Sequence, residues 1–246
     1  MSQDTKPIKK TTNSIPQAVR GQDLIIIFLV IVAGIMFVIN LLPQWLPALT
    51  SSASGSQPKI YWFLSRGSAI AAYWLLWLSV AMGISLSNKI AQIWPGILPA
   101  SEIHQFTGLL GLAFTLFHGL ILTGDAYIHI SIAQVLVPFS TQSYRPTWVG
   151  IGQVISYLWA LIVLSFYIRK RIGVKAWRIL HYAGYLCFIG VMVHSIFSGT
   201  DTATNWSQYV YWFSAGSLLL LTVYRVLISQ FPVKTEKVKK LADNAS

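Results

Sequence analysis

The stretch IHQFTGLLGLAFTLFHGLIL, residues 103–122, decides the fold class. It contains no Asp, Glu, Lys or Arg, and about 20 apolar residues in a helix cross the ~30 Å hydrocarbon core of a bilayer. His104 and His118 lie near its two ends. Because ionisable side chains inside a membrane are costly, this pattern predicts a membrane helix that carries a function.

Five further apolar runs lie on either side of this stretch. The six predicted spans are residues 24–42, 61–84, 103–122, 148–167, 177–197 and 206–228. The composition agrees, since only 10% of the 246 residues are charged and 54% are hydrophobic, whereas a soluble domain has about a quarter charged residues. The sequence therefore predicts an all-α membrane protein, a six-transmembrane-helix bundle in the lipid bilayer.

The distribution of basic residues predicts the orientation of the bundle. Of the 18 Lys and Arg residues, only Lys59, Arg66 and Arg145 fall on the opposite side of the six-span arrangement from the rest. By the positive-inside rule both termini are expected in the cytoplasm, in a multi-pass protein of the cell (plasma) membrane. Because the basic groups border lipid spans, the net charge of +11 does not indicate a nucleic-acid partner.

The chain divides into a membrane domain and two tails. Residues 1–22 form a polar cytoplasmic N-tail, residues 23–229 the transmembrane domain, and residues 230–246 a basic cytoplasmic C-tail. In the second outer loop, residues 126–137 are moderately apolar but too short to span, which predicts a helix at the membrane interface. The single cysteine, Cys187, excludes an intramolecular disulfide and is expected to be a small buried hydrophobe.

Four of the five histidines lie within two predicted spans that run in the same direction. The third span carries His104 and His118, and the fifth carries His181 and His194. At 1.5 Å per residue, the spacings of fourteen and thirteen correspond to about 21 Å and about 20 Å. The topology therefore predicts two pairs at two depths: His104 with His181 towards the cytoplasm (the inner pair), and His118 with His194 towards the outside (the outer pair).

Two imidazoles at one depth suit a haem iron, which takes protein ligands on both axial faces. Such an iron has no open position, so it passes electrons rather than binding oxygen. Hydrogen bonds between helices, a proton relay and transition-metal transport are the alternatives. Transporters usually add acidic residues within the membrane, and the predicted spans have Asp or Glu only at their ends. His129 lies in the outer loop and is expected to be exposed or at the membrane interface.

The spacing of the histidines in the fifth span does not place both side chains on one face of a regular helix. At 100° per residue, a spacing of fourteen returns a side chain to within about 40°, whereas thirteen leaves it about 140° away. We expect a kink, a local rewinding or divergent rotamers, with Gly184 or Gly190 as the place for the distortion. Gly108, Gly111 and Gly119, together with Gly184, are expected to make room for a flat group or for close helix packing.

The pattern resembles the ferric reductase-like transmembrane domain family, which includes the membrane parts of NADPH oxidases, metalloreductases and the haem subunit of periplasmic methionine sulfoxide reductase. The resemblance covers about residues 60–228. It rests on RGSAIAAYWLLWLSVAMG (66–83), HQFTGLLGLAFTLFHGLILTGD (104–125), YRP (144–146) and SFYIRKRIGVKAWRILHYAGYLCFIGVMVHSIFSGTD (165–201). It implies that the inner and outer pairs, His104 with His181 and His118 with His194, are the axial ligands of two b haems.

Given haems, four more residues become candidates for binding them. Arg66, Arg145 and Arg178 could each pair with a haem propionate, since a guanidinium suits a carboxylate. The competing interpretations are snorkelling for Arg66, loop exposure for Arg145 and a topology signal for Arg178. Phe188, seven residues after His181, is expected either between the haems or in ordinary packing. No catalytic side chain is predicted.

The resemblance also bears on the electron donor and acceptor. The oxidases and metalloreductases of the family carry a flavin and nicotinamide domain after the last helix, but this sequence has no glycine-rich nucleotide fingerprint. We therefore expect no flavin or NAD(P)H site here, and a separate donor, either a flavoprotein or a membrane quinol. The expected function is an oxidoreductase component, a b-type cytochrome that passes electrons to an outer-side acceptor. The alternatives are a haem subunit serving a soluble reductase, such as a periplasmic methionine sulfoxide reductase, and a haem-free histidine transporter.

Overall fold

The computed structural model describes residues 21–37, 60–87, 90–93, 95–125 and 127–230, and within these ranges the chain is helical with no strand. The α-helices are α1 (Gly21–Met36), α2 (Ile60–Ser87), α3 (Ile97–Ile121), α4 (Ile132–Leu136), α5 (Pro146–Ile172), α6 (Val174–Tyr182), α7 (Gly184–Ser198) and α8 (Asn205–Gln230). Two short 3-10 helices, Ile90–Gln92 and Leu122–Gly124, precede and follow α3.

Five spans within the described ranges are long and apolar enough to cross a membrane. They are α2, α3 with its 3-10 extension (Ile97–Gly124), α5, α6 together with α7 (Val174–Ser198), and α8. The second to sixth predicted spans are thus confirmed as helices that are long and apolar enough to cross a membrane. The first predicted span, 24–42, coincides with α1 over its beginning, but residues 38–42 and most of both tails lie outside the described residues. The sixth crossing and the sides of the termini stay predictions.

Two helices extend beyond the predicted apolar runs, α3 at its N-terminal end and α5 at its C-terminal end. α3 begins at Ile97 rather than at residue 103, because Pro99 lies in the first turn, where a missing backbone N–H breaks no helical hydrogen bond. α5 continues to Ile172 rather than ending at residue 167, with three basic residues in its last turn. Cations there interact favourably with the carbonyl end of the helix dipole. Hydropathy alone thus placed the start of α3 too late and the end of α5 too early.

The fifth span is interrupted between its two histidines. The N–H of Ala183 donates to the carbonyl of Leu180 at 3.0 Å, three residues back, and the N–H of Cys187 then donates to the carbonyl of Ala183 at 2.9 Å. α6 ends and α7 begins around this tight turn, which changes the rotation of the chain. The expected distortion is confirmed, and it lies beside Gly184.

The core is formed where α2 packs against α3, α7 and α8 and where α5 packs against α7. The hydroxyls of Tyr73 and Ser214 lie 2.6 Å apart and link α2 to α8. A Cβ on Gly190 would lie 2.5 Å from the side chain of Ile155, so this glycine permits α7 and α5 to approach closely. Large apolar side chains on α8, such as Trp212 at 78% exposure, point away from this core, as expected of a surface that faces lipid.

A short helix lies within residues 126–137, as predicted. α4 begins with a capping box, in which Ser131 and Gln134 satisfy each other's backbone N–H groups. The side-chain amide of Gln153 on α5 donates to the carbonyls of Gln134 and Val135, both at 2.7 Å. These bonds hold α4 against α5; its place at a membrane interface stays a prediction.

Candidate functional site: two histidine pairs

The structure brings together the two histidine pairs expected from the topology. The ring centres of His104 and His181 are 5.6 Å apart with an interplanar angle of 79°. Those of His118 and His194 are 6.4 Å apart at 75°. Two imidazoles that share one metal, with bonds of about 2 Å on each side, have ring centres about 6 Å apart. Each pair therefore has the separation of two ligands to one ion.

The paired rings meet between two helices that are not themselves closely packed. Among the described helices, α3 packs most closely along α2, and α7 packs along α5. α3 and α7 are not one of the closely packed pairs, although their histidine rings approach each other at both levels. α2 thus supports α3, and α5 supports α7, while the imidazoles of α3 and α7 meet between the two helices.

Three of the four histidines are held through Nδ1 by a backbone carbonyl of a neighbouring helix. Because a carbonyl oxygen can only accept, Nδ1 carries the proton and Nε2 keeps its lone pair for a metal. Metal-binding histidines almost always have such a second partner, which fixes the ring and its tautomer. The three distances are 2.7 Å from His104 to Ser79, 2.9 Å from His118 to Ser65 and 2.8 Å from His194 to Trp148.

The two serines on α2 match the histidines on α3 in spacing. Ser65 and Ser79 are fourteen residues apart, as are His104 and His118 on the antiparallel helix. Their hydroxyls also lie 2.9 Å and 3.2 Å from Nδ1 of His118 and His104, and they donate to the backbone carbonyls of the same histidines. Sequence reasoning missed these serines, although the equal spacing was a signal for them.

Small residues stand beside the carbonyls that hold the rings. Gly83 follows Ser79 by four residues, and a Cβ there would lie 3.1 Å from Cε1 of His104. Gly152 follows Trp148 by four residues, and a Cβ there would lie 2.4 Å from Nδ1 of His194. A ring that approaches carbonyl i in a helix passes over residue i+4, whose N–H bonds to the same carbonyl. These two glycines were also missed from the sequence.

The glycines that were predicted serve mostly in packing. A Cβ on Gly111 would lie 2.7 Å from the ring of Trp159, so this glycine lets α5 approach α3. The corresponding neighbours are the Ser79 hydroxyl at 3.2 Å for Gly108 and Val135 at 3.3 Å for Gly119. Nothing lies within 4 Å of a Cβ on Gly184. Close helix packing, one of the two expected roles, accounts for the first three.

His181 differs from the other three histidines. Its Nδ1 is buried and has no hydrogen-bond partner among the described residues, and the same holds for Nε1 of Trp177. The two rings are stacked, with centres 5.0 Å apart and an interplanar angle of 30°. His181 is thus held by ring stacking, whereas the other three histidines are held by a hydrogen bond to a backbone carbonyl.

The three predicted arginines have different surroundings. Arg66 forms an ion pair with Asp201 and lies over the ring of Trp62 at 5.1 Å. Arg145, directly before α5, donates to the backbone carbonyl of Phe197 near the end of α7. Arg178 is exposed on α6. Arg66 and Arg145 thus have protein partners; contact of any of the three with a propionate stays a prediction.

Three further predictions concern single residues. Phe188 is 5% exposed and packs against Tyr73, with ring centres 5.8 Å apart, which agrees with the packing interpretation. Cys187 is buried at 1% exposure, as expected of a small hydrophobe. His129 is exposed in the loop between α3 and α4.

Haem fits the ligand sets that the chain offers. Within the described residues, no group of three or more His, Cys, Asp or Glu side chains meets as a metal site. Each pair therefore offers two imidazoles, which could complete the coordination of an iron held by a porphyrin. The anchored Nδ1 atoms and the glycines beside the rings fit this group, since axial ligands need a fixed orientation.

The chain was compared with protein-family models, curated proteins and solved structures, and none matches.

Proposed function

We propose that this protein is a transmembrane b-type cytochrome that passes electrons from a cytoplasmic or quinol donor to an acceptor on the outer side. The inner pair, His104 and His181, would hold one haem, and the outer pair, His118 and His194, a second. The observation that carries the proposal is the pairing itself, with ring centres 5.6 Å and 6.4 Å apart at two levels of one bundle.

Hydrogen bonding between helices is the plainest competing account of these histidines. It explains the Nδ1 bonds to α2 and α5, but it does not explain why the rings then face each other. With ring nitrogens about 1 Å from the ring centre, rings 6.4 Å apart leave at least about 4 Å between nitrogens, beyond hydrogen-bond range. A metal ion between the rings of the outer pair would account both for this separation and for the anchored Nδ1 atoms.

The chain's own residues have defined tasks in this proposal. A bound haem supplies reversible one-electron chemistry, whose potential depends on axial ligands and burial. The histidines hold it, and the carbonyls of Ser65, Ser79 and Trp148 fix three of their rings. The surrounding spans keep water away. A separate donor and an outer-side acceptor complete the proposal, in the cell membrane that the charge distribution favours.

The deciding experiment is a reduced-minus-oxidised spectrum of the purified protein with haem counted per polypeptide. About two b haems per chain are expected, and His118→Ala and His181→Ala should each lose one. His129→Ala is the matched control, because His129 is exposed in a loop, and it should keep both haems. A colourless protein without a Soret band would end the haem proposal, and one haem per chain would show that one pair is not a site.

A further inference from the structure

The four candidate ligands are not anchored alike, and the difference lies within the inner pair. His104, like both outer histidines, has Nδ1 bonded to a backbone carbonyl of another helix. His181 has no such bond, and its buried Nδ1 is without a partner among the described residues. Its orientation must therefore be held by contacts of its ring.

Trp177 supplies the main ring contact. It lies four residues before His181 on α6, so both side chains share one face of the helix. Their rings are stacked at 5.0 Å and 30°. The indole is itself supported from α5, where the ring of Phe166 lies 6.2 Å away, and the guanidinium of Arg169 covers Phe166 at 3.7 Å. These contacts form a continuous row of rings from the last turns of α5 to His181, in which Phe166 is tilted by 60° to Trp177 and Trp177 is stacked on His181.

The tight turn at Ala183 separates the helix that carries His181 from the rest of the span. α6 is only nine residues long and ends at Tyr182, directly after His181. The chain then rewinds before α7, which carries His194. The row of rings against α5 thus fixes the short helix and the ring on its last turn together.

We propose that Trp177 is the positioning residue of His181, holding the imidazole by stacking in place of the N–H to carbonyl bond used at the other three ligands. The inference rests on the proposed function, since the ring is positioned for an iron. A stacked ring limits rotation, but it does not raise ligand basicity as a hydrogen bond from Nδ1 does. The inner haem is therefore the more weakly held of the two and depends on Trp177.

The test is the release of haem from the detergent-purified protein to an excess of apomyoglobin. Two phases are expected, and the protein with His104→Ala, which keeps only the outer haem, identifies the outer phase. Trp177→Leu should speed the inner phase about tenfold, since outer-shell partners of ligating histidines typically change metal affinity by 10–100-fold. It should also add a high-spin signal from one haem to the electron paramagnetic resonance spectrum. Trp177→Phe, which keeps a ring to stack, should restore slow release and the low-spin signal.

The matched control is Trp74→Leu. This indole lies on α2 among other aromatic rings, 5.3 Å from Trp77 and 6.1 Å from Phe213, so its loss removes similar packing and should leave both phases unchanged. Unchanged release from Trp177→Leu, or equal acceleration of both phases, overturns the inference. So does a Trp177→Phe protein as defective as Trp177→Leu. If the leucine variant is unstable, Trp177→Phe is compared with the unmodified protein, and a faster inner phase in Trp177→Phe overturns the inference. Absence of haem from the unmodified protein would instead refute the proposed function.

Discussion

Replacement of Gly152 by alanine should disable the outer pair. A Cβ at this position would lie 2.4 Å from Nδ1 of His194 and 2.7 Å from Cε1, whereas ordinary van der Waals contact begins near 3.4 Å. The imidazole must withdraw by about 1 Å. Its bond to the carbonyl of Trp148, now 2.8 Å, would then stretch to about 3.8 Å, beyond hydrogen-bond range.

The cost follows from these two changes. Loss of the hydrogen bond costs about 1 kcal/mol, and overpacking costs about 1–3 kcal/mol. Alanine returns up to about 1 kcal/mol through its higher helix propensity. The net destabilisation of about 1–4 kcal/mol falls on the ring of His194. At about 1.4 kcal/mol for each tenfold change, we expect a loss of about fivefold or more in affinity for the outer haem. Gly83→Ala, with 3.1 Å to Cε1 of His104, should have a smaller effect on the inner haem.

Haem per polypeptide and the thermal midpoint of the purified protein measure both effects. Gly67→Ala is the matched control, because it makes the same change within α2 with nothing within 4 Å of the new Cβ. It should keep two haems and match or exceed the stability of the unmodified protein. Two firmly bound haems and unchanged stability in Gly152→Ala would refute the steric reasoning.

Two further predictions concern contacts away from the paired rings. Arg66→Gln and Asp201→Asn should each lower stability by no more than about 1 kcal/mol, since the ion-paired side chains are 34% and 22% exposed and screened by solvent; a haem potential altered by the arginine change alone would instead support a propionate contact. Tyr73→Phe should cost about 1 kcal/mol, because its hydroxyl bonds to the fully buried Ser214. A double-mutant cycle of Tyr73→Phe with Ser214→Ala, followed by thermal unfolding, should give a coupling energy clearly different from zero.

Hydropathy averaged along the chain does not locate the first turn of a helix or a tight turn within a span. The early start of α3 depends on Pro99 in its first turn, a position where proline is tolerated but which an apolar window does not mark. A distortion such as the turn at Ala183 could be predicted from the sequence, because thirteen residues separate His181 from His194 and an undistorted helix would point them in different directions. Its position beside Gly184 rather than at Gly190 depended on packing, since Gly190 is closely covered by Ile155.

The sequence by itself determined, among the described residues, five helices long and apolar enough to span a membrane. It also determined the two-level pairing of His104 with His181 and of His118 with His194. Both depend on local quantities, the apolar content of about 20 residues and the constant rise per residue of a helix. Only the tertiary structure decided how the rings are held, with Ser79 and Gly83 behind one histidine and a stacked Trp177 beside its partner. Those contacts depend on the rotation of each helix about its axis and on which neighbour it meets, and such side-chain packing between distant segments is not encoded in any single stretch of the chain.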